Sequence, residues 1–248
     1  MKKSDKFLRT VKDTLDRILS LVFVPKCVGC GARLAKRDLF CEKCYAEYMN
    51  ARDDECIACH RRIDSCTCST KSLEGQGISK YIKLMRYKKG EETPTNRMAY
   101  ELKESHNTEL IRFFAHQLAV PVRKYAAGKK HEVAVTYVPR SKRAIIRYGY
   151  DHSELLAKEL AKLLGFPFVR TIERCGNKVQ KSSNARERKI NAARSFKLNS
   201  GVNAEKRHFI LVDDIVTTGA TVVACKNLLK HAGATSVTVA SVYQAIEK

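Results

Sequence analysis

Hydrophobic residues recur every three or four positions in two stretches of the first half of the chain. The first stretch, residues 1–25, predicts an amphipathic helix, on a face formed by Phe7, Leu8, Val11, Leu15, Ile18, Leu19 and Val22. We expect this face to pack on the body of the protein rather than to bind a membrane or a partner. The second stretch, residues 109–126, predicts a helix that Pro121 bends or ends.

From residue 131 onwards, short apolar runs alternate with segments of helical spacing. The predicted strands are residues 133–139, 166–172, 209–212 and 236–243, and the predicted helices are 153–165 and 219–233. Ser153 is a candidate helix cap and Gly165 a candidate helix end. The run at 209–212 is apolar throughout, as is typical of a strand buried on both faces of a parallel sheet. This order of elements predicts an α/β fold with a parallel sheet.

Eight of the ten cysteines fall in residues 26–70, as three C-x2-C pairs and one C-x-C pair: Cys27, Cys30, Cys41, Cys44, Cys56, Cys59, Cys66 and Cys68. Two C-x2-C turns supply the four thiolates that zinc prefers. The first four cysteines therefore predict a zinc ribbon, and the last four, with His60 nearby, predict a second ion. Because residues 26–70 contain few large apolar side chains, we expect structural zinc to supply the folding free energy of this module.

A disulfide framework is the alternative interpretation of these cysteines, and it requires an oxidising compartment. The N-terminal stretch does not resemble a secretory signal, because Asp5, Asp13 and Asp16 interrupt it and no small-residue cleavage site follows. No run reaches the roughly 18 apolar residues of a membrane span. We therefore expect a cytoplasmic protein with reduced cysteines and no membrane insertion. Cys225 is predicted to be a buried thiol, and Cys175 receives no role.

Basic residues outnumber acidic residues by 47 to 26, which gives a net charge of +21. Residues 79–197 contain 27 basic and 11 acidic side chains, so that 27 − 11 = +16 of this charge lies there. A basic region of this kind favours a phosphate-rich partner, either nucleic acid or a phosphorylated small molecule. A solubilising surface is the alternative.

Two adjacent acids, Asp213 and Asp214, follow the predicted strand at 209–212. They would stand at its carboxyl end, where open α/β sheets bind their ligands. The next residues lead into a helix, so that their amides would form an anion nest, with Gly219 permitting a tight turn. This segment comprises Thr217, Thr218, Gly219, Ala220 and Thr221. Carboxylates beside a phosphate cradle suit a sugar phosphate, because they accept hydrogen bonds from ribose hydroxyls.

The stretch ILVDDIVTTGAT, residues 210–221, closely resembles the signature with which phosphoribosyltransferases bind 5-phosphoribosyl 1-diphosphate (PRPP). Residues 138–165 and 180–196 resemble two further segments of the ComF branch of that family, which also has an N-terminal cysteine-rich ribbon. Two departures concern the loop near the pyrophosphate. Asp151 and His152 stand where the branch usually has Asn-Gln, and Tyr137 replaces the first proline of a Pro-Val-Pro.

The resemblance implies a PRPP site that uses Mg²⁺, with Asp213 and Asp214 as its catalytic acids. By their position after the strand that ends at Pro139, Arg140, Ser141 and Lys142 would face the pyrophosphate. A mobile basic loop over the site could be formed by Arg174, Lys178, Lys181, Arg186, Arg188 and Lys189, and a solvated basic surface without a site is the alternative for residues 186–189. The resemblance also implies a role in natural competence, acting on single-stranded DNA with a competence helicase and other DNA-uptake proteins.

Two classes of function stay open from the sequence. In one, the protein binds PRPP and assists the handling of single-stranded DNA. In the other, it is an active phosphoribosyltransferase with an unidentified small-molecule acceptor. In both, we expect an amphipathic helix at 1–25, a zinc-ribbon module at 26–70 and a phosphoribosyltransferase-like domain at 71–248.

Overall fold

The computed structural model describes residues 24–36, 38–56, 58–70, 73–127, 132–175 and 195–246. The predicted helix at 1–25 lies outside these residues except for its last two positions. Most of the predicted basic loop, from Lys178 to Lys189, also lies outside them.

The described elements follow one another in this order: α1 Glu42–Asp53, β1 Lys80–Tyr87, α2 Pro94–Glu104, α3 Thr108–Ala126, β2 Val133–Tyr137, α4 Lys142–Tyr148, α5 His152–Leu164, β3 Ile172–Arg174, β4 Phe196–Leu198, β5 His208–Val216, α6 Ala220–His231 and β6 Ser236–Ala245. A short 3₁₀ turn spans Ile63–Ser65. None of the helices formed by the described residues is long and apolar enough to cross a membrane.

Four strands form a parallel sheet in the order β1-β6-β5-β2. This arrangement confirms the predicted α/β fold. The sheet brings the carboxyl ends of β2 and β5 together, because Tyr137 pairs with Val212. The residues that follow both strands therefore meet at one edge, where parallel sheets bind ligands.

Side chains alternate between the two faces of this sheet, and both faces are buried. Ile210 and Val212 of β5 pack in a core beneath α3 and α5, whereas Phe209 and Leu211 pack in a second core beneath α6. Burial on both sides explains why β5 is apolar without alternation.

Helix α3 runs from Thr108 through Pro121 to Ala126, so the predicted helix at 109–126 is confirmed and the proline does not end it. A proline inside a helix removes one backbone hydrogen bond, at a cost of about 3 kcal/mol. Leu118 before the proline and Val122 after it are both buried in the same core. Packing of the two turns against this core offsets the missing bond.

Several elements show no clear period in the sequence and were not predicted. Strand β1 is one of them, because Lys83 interrupts its apolar run although it is buried. The predicted strand at 166–172 is reduced to a bridge between Phe168 and Val135, followed by β3. Strand β3 pairs with β4 as a separate antiparallel ribbon.

Candidate functional site

The two adjacent aspartates lie inside β5 rather than beyond it. The predicted strand ended at residue 212, but β5 runs to Val216. Asp213 is 9% exposed and Asp214 is 7% exposed. Each carboxylate bends along the strand and accepts a hydrogen bond from the next amide, that of Asp214 at 2.9 Å and that of Ile215 at 2.7 Å. The pair is thus built into the buried end of the strand.

Asp213 is enclosed by the start of α5. Its Oδ1 accepts a hydrogen bond from the hydroxyl of Ser153 at 3.2 Å. Burial, and secondly the neighbouring charge of Asp214, raise the pKa of Asp213 well above its ordinary value. Ionisation of Asp213 at this position therefore lowers the stability of the folded state.

Asp214 forms an ion pair with Arg140. Arg140 lies just after β2, the strand that pairs with β5. The guanidinium Nη2 donates to Oδ2 of Asp214, and both side chains are largely buried. Nη1 of Arg140 also donates to the carbonyl of Lys103 at 3.1 Å. Arg140 thus stands at the predicted site, and its charge is directed at an acid of that site.

The other two predicted pyrophosphate residues have different positions. Ser141 caps α4, since its hydroxyl accepts a hydrogen bond from the amide of Ala144 at 3.2 Å. Lys142 is exposed on the first turn of this helix. Both lie at the predicted edge of the sheet, but within the described residues Arg140 alone of the three pairs with the acids.

Asp151 holds the loop between β2 and α5. Its Oδ2 accepts a hydrogen bond from the amide of Arg140 at 2.7 Å. Its Oδ1 accepts from the amides of Ser153 at 3.1 Å and Glu154 at 3.3 Å, which makes Asp151 the N-cap of α5. The helix cap is therefore Asp151, and the prediction of Ser153 as the cap is wrong. The departure from Asn at this position keeps the acceptor oxygen that a cap needs.

His152 is a fully buried ring beside the acids. It packs against Tyr150, with ring centroids 4.4 Å apart, and Tyr150 stacks on His106 at 4.0 Å. Burial, with Arg140 nearby, lowers the pKa of His152 to about 4, and Asp214 and the backbone of Ser105 offset this only in part. Neither ring nitrogen reaches a hydrogen-bond partner at normal geometry among the described residues. His152 is consequently neutral at physiological pH.

Thr217, Thr218 and Gly219 form the turn that connects β5 to α6, and Ala220 and Thr221 begin that helix. Gly219 is the N-cap of α6 and has φ +70°, in the left-handed region that favours glycine. Thr217 and Thr218 are exposed. The amides at the start of α6 have no side-chain cap in the described structure, which leaves them available to an anion.

Leu73 packs against this turn from the segment that follows the cysteines. A Cβ atom at Gly219 would lie 2.2 Å from Cδ2 of Leu73. Leu73 is itself buried. Gly219 is required here both by its backbone angle and by this contact.

The first four cysteines come together as the sequence predicts. The Sγ atoms of Cys27, Cys30, Cys41 and Cys44 all lie within 4.8 Å of one another. The first pair stands on a turn closed by a bridge between Lys26 and Arg33, whereas the second pair lies at the start of α1. None of these cysteines forms a disulfide.

The last four cysteines form a second group of the same kind. The Sγ atoms of Cys56, Cys59, Cys66 and Cys68 also lie within 4.8 Å of one another. A bridge between Glu55 and Arg62 encloses Cys56 and Cys59 as the earlier bridge encloses Cys27 and Cys30. His60, by contrast, points outwards with 81% of its side chain exposed, and it is not part of the group.

Both groups suit zinc by the chemistry of their donors. Although burial raises the pKa of Cys27, amides of Cys41, Cys30 and Gly29 outweigh it and lower this pKa to about 7. Burial likewise raises the pKa of Cys56, but hydrogen bonds led by that from Cys66 lower it to about 6. Burial and the neighbouring thiols raise the pKa of Cys44 in the first group and of Cys68 in the second. Each group thus has one acidified thiol among less acidic ones, and four thiolates are the ligand set of structural zinc.

The first cysteine group is not a separate module with its own core. Cys27, Cys44 and Tyr48 belong to the main core that α3 and β6 share. This packing agrees with the expectation that residues 26–70 cannot build a core alone, and structural zinc as a source of folding free energy stays a prediction. The second group has a small core of Cys56, Ile63 and Cys66.

Comparison with known proteins identifies the relatives of this chain. Residues 150–248 match the phosphoribosyl transferase domain family. The chain is 27% identical over 200 residues to the competence protein ComFC of Streptococcus pneumoniae, covering 79% of this chain and 84% of that one. The chain is a homologue of ComFC with a phosphoribosyl transferase domain. This confirms the resemblance to the ComF family.

The DNA utilization protein YhgH gives a second set of relatives. The chain is 32% identical over 150 residues to YhgH of Salmonella typhimurium, covering 59% of this chain and 65% of that one. It is 30% identical over 150 residues to YhgH of Escherichia coli strain K12, with the same coverage. The match therefore spans slightly less than two thirds of the length of these YhgH proteins.

Solved structures give a more distant similarity. A hypoxanthine phosphoribosyltransferase of Staphylococcus aureus superposes with a TM-score of 0.37 at 15% identity, over 61% of this chain and 81% of that one.

Three residues near the candidate sites were not predicted from the sequence as parts of a site. Ser153, Leu73 and Lys83 all contact candidate site residues or their immediate surroundings. Of these, Lys83 gave a signal, as a charge inside an otherwise apolar run. The contacts of the other two join positions far apart in the chain, which no local pattern records.

Proposed function

We propose that this protein binds PRPP at the carboxyl end of β5 and assists the handling of single-stranded DNA in natural competence. It would act in the cytoplasm, with the competence helicase and other DNA-uptake proteins as partners. The names of the relatives, ComFC and YhgH, support the DNA-related role.

One observation carries the PRPP part of the proposal. Two buried acids, the uncapped start of α6 and the guanidinium of Arg140 converge where β2 and β5 end. Asp213 and Asp214 would accept hydrogen bonds from ribose hydroxyls, and the amides from Thr217 to Thr221 would hold the 5′-phosphate.

Arg140 would exchange partners when PRPP binds. In the described structure its charge pairs with Asp214. A pyrophosphate is a stronger partner for a guanidinium, because it offers several charged oxygens. Mg²⁺ would accompany PRPP and supply charge neutralisation, and carboxylate oxygens such as those of Asp213 and Asp214 suit this ion.

The DNA part is supported by α4, which directly follows the predicted pyrophosphate residues. This helix has no buried residue, and Ile146 is 83% exposed. Its charged residues are the basic Lys142, Arg143 and Arg147. The guanidinium of Arg147 lies 5.2 Å from the ring centroid of Tyr148. Cations beside an accessible ring suit backbone tracking with base stacking.

Phosphoribosyl transfer to an acceptor is the second candidate function. The same buried acids, Asp213 and Asp214, favour it, because phosphoribosyl transfer would need them as much as PRPP binding would. Release of pyrophosphate from PRPP, measured with and without candidate acceptors, separates transfer from binding alone.

The PRPP proposal is tested by calorimetric titration with Mg²⁺ present. We expect the variant Asp213→Asn with Asp214→Asn to bind PRPP at least ~100-fold more weakly than the parent, because each hydrogen bond to a charged group contributes about 1.5–3 kcal/mol. Asparagine is chosen over alanine because the acids are buried and Arg140 needs an acceptor.

The exposed pair Asp53 and Asp54 provides the matched control, since Asp53→Asn with Asp54→Asn removes the same charge elsewhere. This variant should bind PRPP as the parent does. Unchanged affinity in a well-folded site variant would show that the site lies elsewhere. A parent that does not bind PRPP with Mg²⁺ would end the PRPP proposal and leave the DNA role to be tested by itself.

A further inference from the structure

The segment after the second cysteine group leads towards the phosphate turn. The second cysteine group itself is tied to the sheet, because the amide of Tyr81 in β1 donates to the carbonyl of Thr67 at 3.4 Å. Beyond it, Leu73 packs on Gly219, and a Cβ atom at Gly77 would lie 3.5 Å from Nζ of Lys226 on α6. One short part of the chain therefore connects the cysteine group to the start and middle of α6.

Lys83 anchors this part of the chain from inside the sheet. It is 1% exposed, and its Nζ donates to Sγ of Cys66 at 3.3 Å and to the carbonyl of Cys68 at 2.6 Å. A divalent zinc ion bound by four thiolates leaves a net negative charge, so a buried ammonium beside one sulfur lowers the cost of enclosing the group. Lys83 therefore suits the metal-bound form of the second group.

Leu73 transmits this anchoring to the phosphate turn. It lies in the core beneath α6, together with Val222 and Cys225 of that helix. The three atoms nearest to a Cβ atom added at Gly219 all belong to Leu73. The first cysteine group, in contrast, packs in the core on the other face of the sheet.

We propose that Leu73 is a positioning residue for the phosphate turn, and that metal at the second cysteine group, supported by Lys83, holds Leu73 in place. The inference rests on the proposed function in so far as the turn binds the 5′-phosphate of PRPP. Occupancy of the second group then influences anion binding at the turn through the direct contact between Leu73 and Gly219.

The first test uses hydrogen exchange of the amides from Thr217 to Val222, measured without any ligand. Leu73→Ala should speed this exchange while zinc content stays as in the parent. Leu102→Ala is the matched control, since Leu102 is equally buried but lies in the other core. Parent-like exchange in Leu73→Ala, or equal acceleration in both variants, would overturn the role of Leu73.

The second test asks whether metal at the second group is the cause. Cys68→Ser should lose zinc from that group and speed exchange of the same amides, whereas Cys30→Ser should lose zinc from the first group without this local effect. Lys83→Gln should lose the second zinc more readily to a chelator. Equal effects of Cys68→Ser and Cys30→Ser on the turn would overturn the coupling, and if either cysteine variant fails to fold, Lys83→Gln decides.

The third measurement asks whether Leu73 and the second cysteine group affect the binding of PRPP. Leu73→Ala and Cys68→Ser should each bind PRPP about tenfold more weakly, within the usual range for coupling between two sites. If the parent does not bind PRPP, the exchange measurements still decide the inference, and the failure belongs to the proposed function. If exchange responds but PRPP affinity does not, the turn is positioned as proposed but is not the phosphate site.

Discussion

At the scale of single residues, the candidate site places an acidic side chain where burial disfavours its ionised form. Asp213 is enclosed, and Asp214 beside it adds to the rise in its pKa. A group whose pKa is raised on folding binds protons more tightly in the native state. Stability is therefore lost as pH rises through the raised pKa, and is regained as pH falls towards the ordinary value.

Asp213→Asn should therefore raise the melting temperature at pH 8, because it removes a buried charge and keeps an acceptor for Ser153. The difference from the parent should shrink as pH falls towards about 4, where the unfolded carboxyl is also protonated. Thermal melts across this range measure it, with Asp54→Asn as an exposed control. A lower melting temperature for Asp213→Asn at pH 8 would show that the charge stabilises the fold.

The two cysteine turns differ at one position in a way that can be tested. His60 has φ +54° where Gly31 of the first turn has φ +74°. A side chain in this left-handed region costs about 1–2 kcal/mol. His60→Gly should therefore strengthen zinc binding at the second group by about five- to thirtyfold, measured by competition with a chromophoric chelator.

Gly31→Ala is the converse change, and nothing lies within 4 Å of the added Cβ atom. It should weaken zinc binding at the first group by a similar factor through backbone strain alone. Weaker binding in His60→Gly would instead indicate that the imidazole supports the second group.

At the scale of elements, α4 differs from the longer helices in having no buried face. It is held by its caps, Ser141 at the start and Gly149, with φ +83°, at the end. A helix of seven residues is marginal without tertiary packing.

Reversing two charges on α4 should weaken binding of single-stranded DNA and flatten its dependence on salt. Each phosphate that the protein no longer neutralises changes the log–log salt slope by about 0.7 for single strands. The variant is Arg143→Glu with Arg147→Glu, measured by fluorescence anisotropy at several salt concentrations. Arg112→Glu with Lys124→Glu on α3 makes the same charge change at exposed positions and is the control.

An equally flattened slope in both variants would mean that net charge alone attracts DNA. Absence of binding by the parent at low salt would end the DNA part of the proposal.

At the scale of the whole molecule, the two cysteine groups belong to different hydrophobic cores. Cys27 and Cys44 lie in the main core with Tyr48 and Phe114. The second group has its own small core and contacts the sheet through Lys83. The two groups should therefore contribute differently to global stability.

Protein purified without chelator should contain two equivalents of zinc. Cys44→Ser should lower the melting temperature by at least about 10 °C, because structural zinc contributes several kcal/mol and each kcal/mol shifts a chain of this size by about 2–4 °C. Cys68→Ser should lower it less. Elemental analysis and calorimetry measure both, and less than half an equivalent of zinc with intact disulfides would exclude the zinc groups.

The sequence by itself determined those features that depend on neighbouring residues. The apolar run at 209–212 predicted a buried parallel strand, because burial on both faces removes alternation. The spacing of the cysteines predicted two four-thiolate groups, and the resemblance at 210–221 predicted the phosphoribosyl transferase domain.

Tertiary structure alone decided what distant segments do to one another. The extension of β5 through Asp213 and Asp214 depends on pairing with β6, and the passage of α3 through Pro121 depends on the core beneath it. Arg140 pairs with Asp214 across 74 positions of the chain, and Leu73 packs on Gly219 across 146 positions. Such contacts follow from the order of strands in the sheet, which local propensity does not encode.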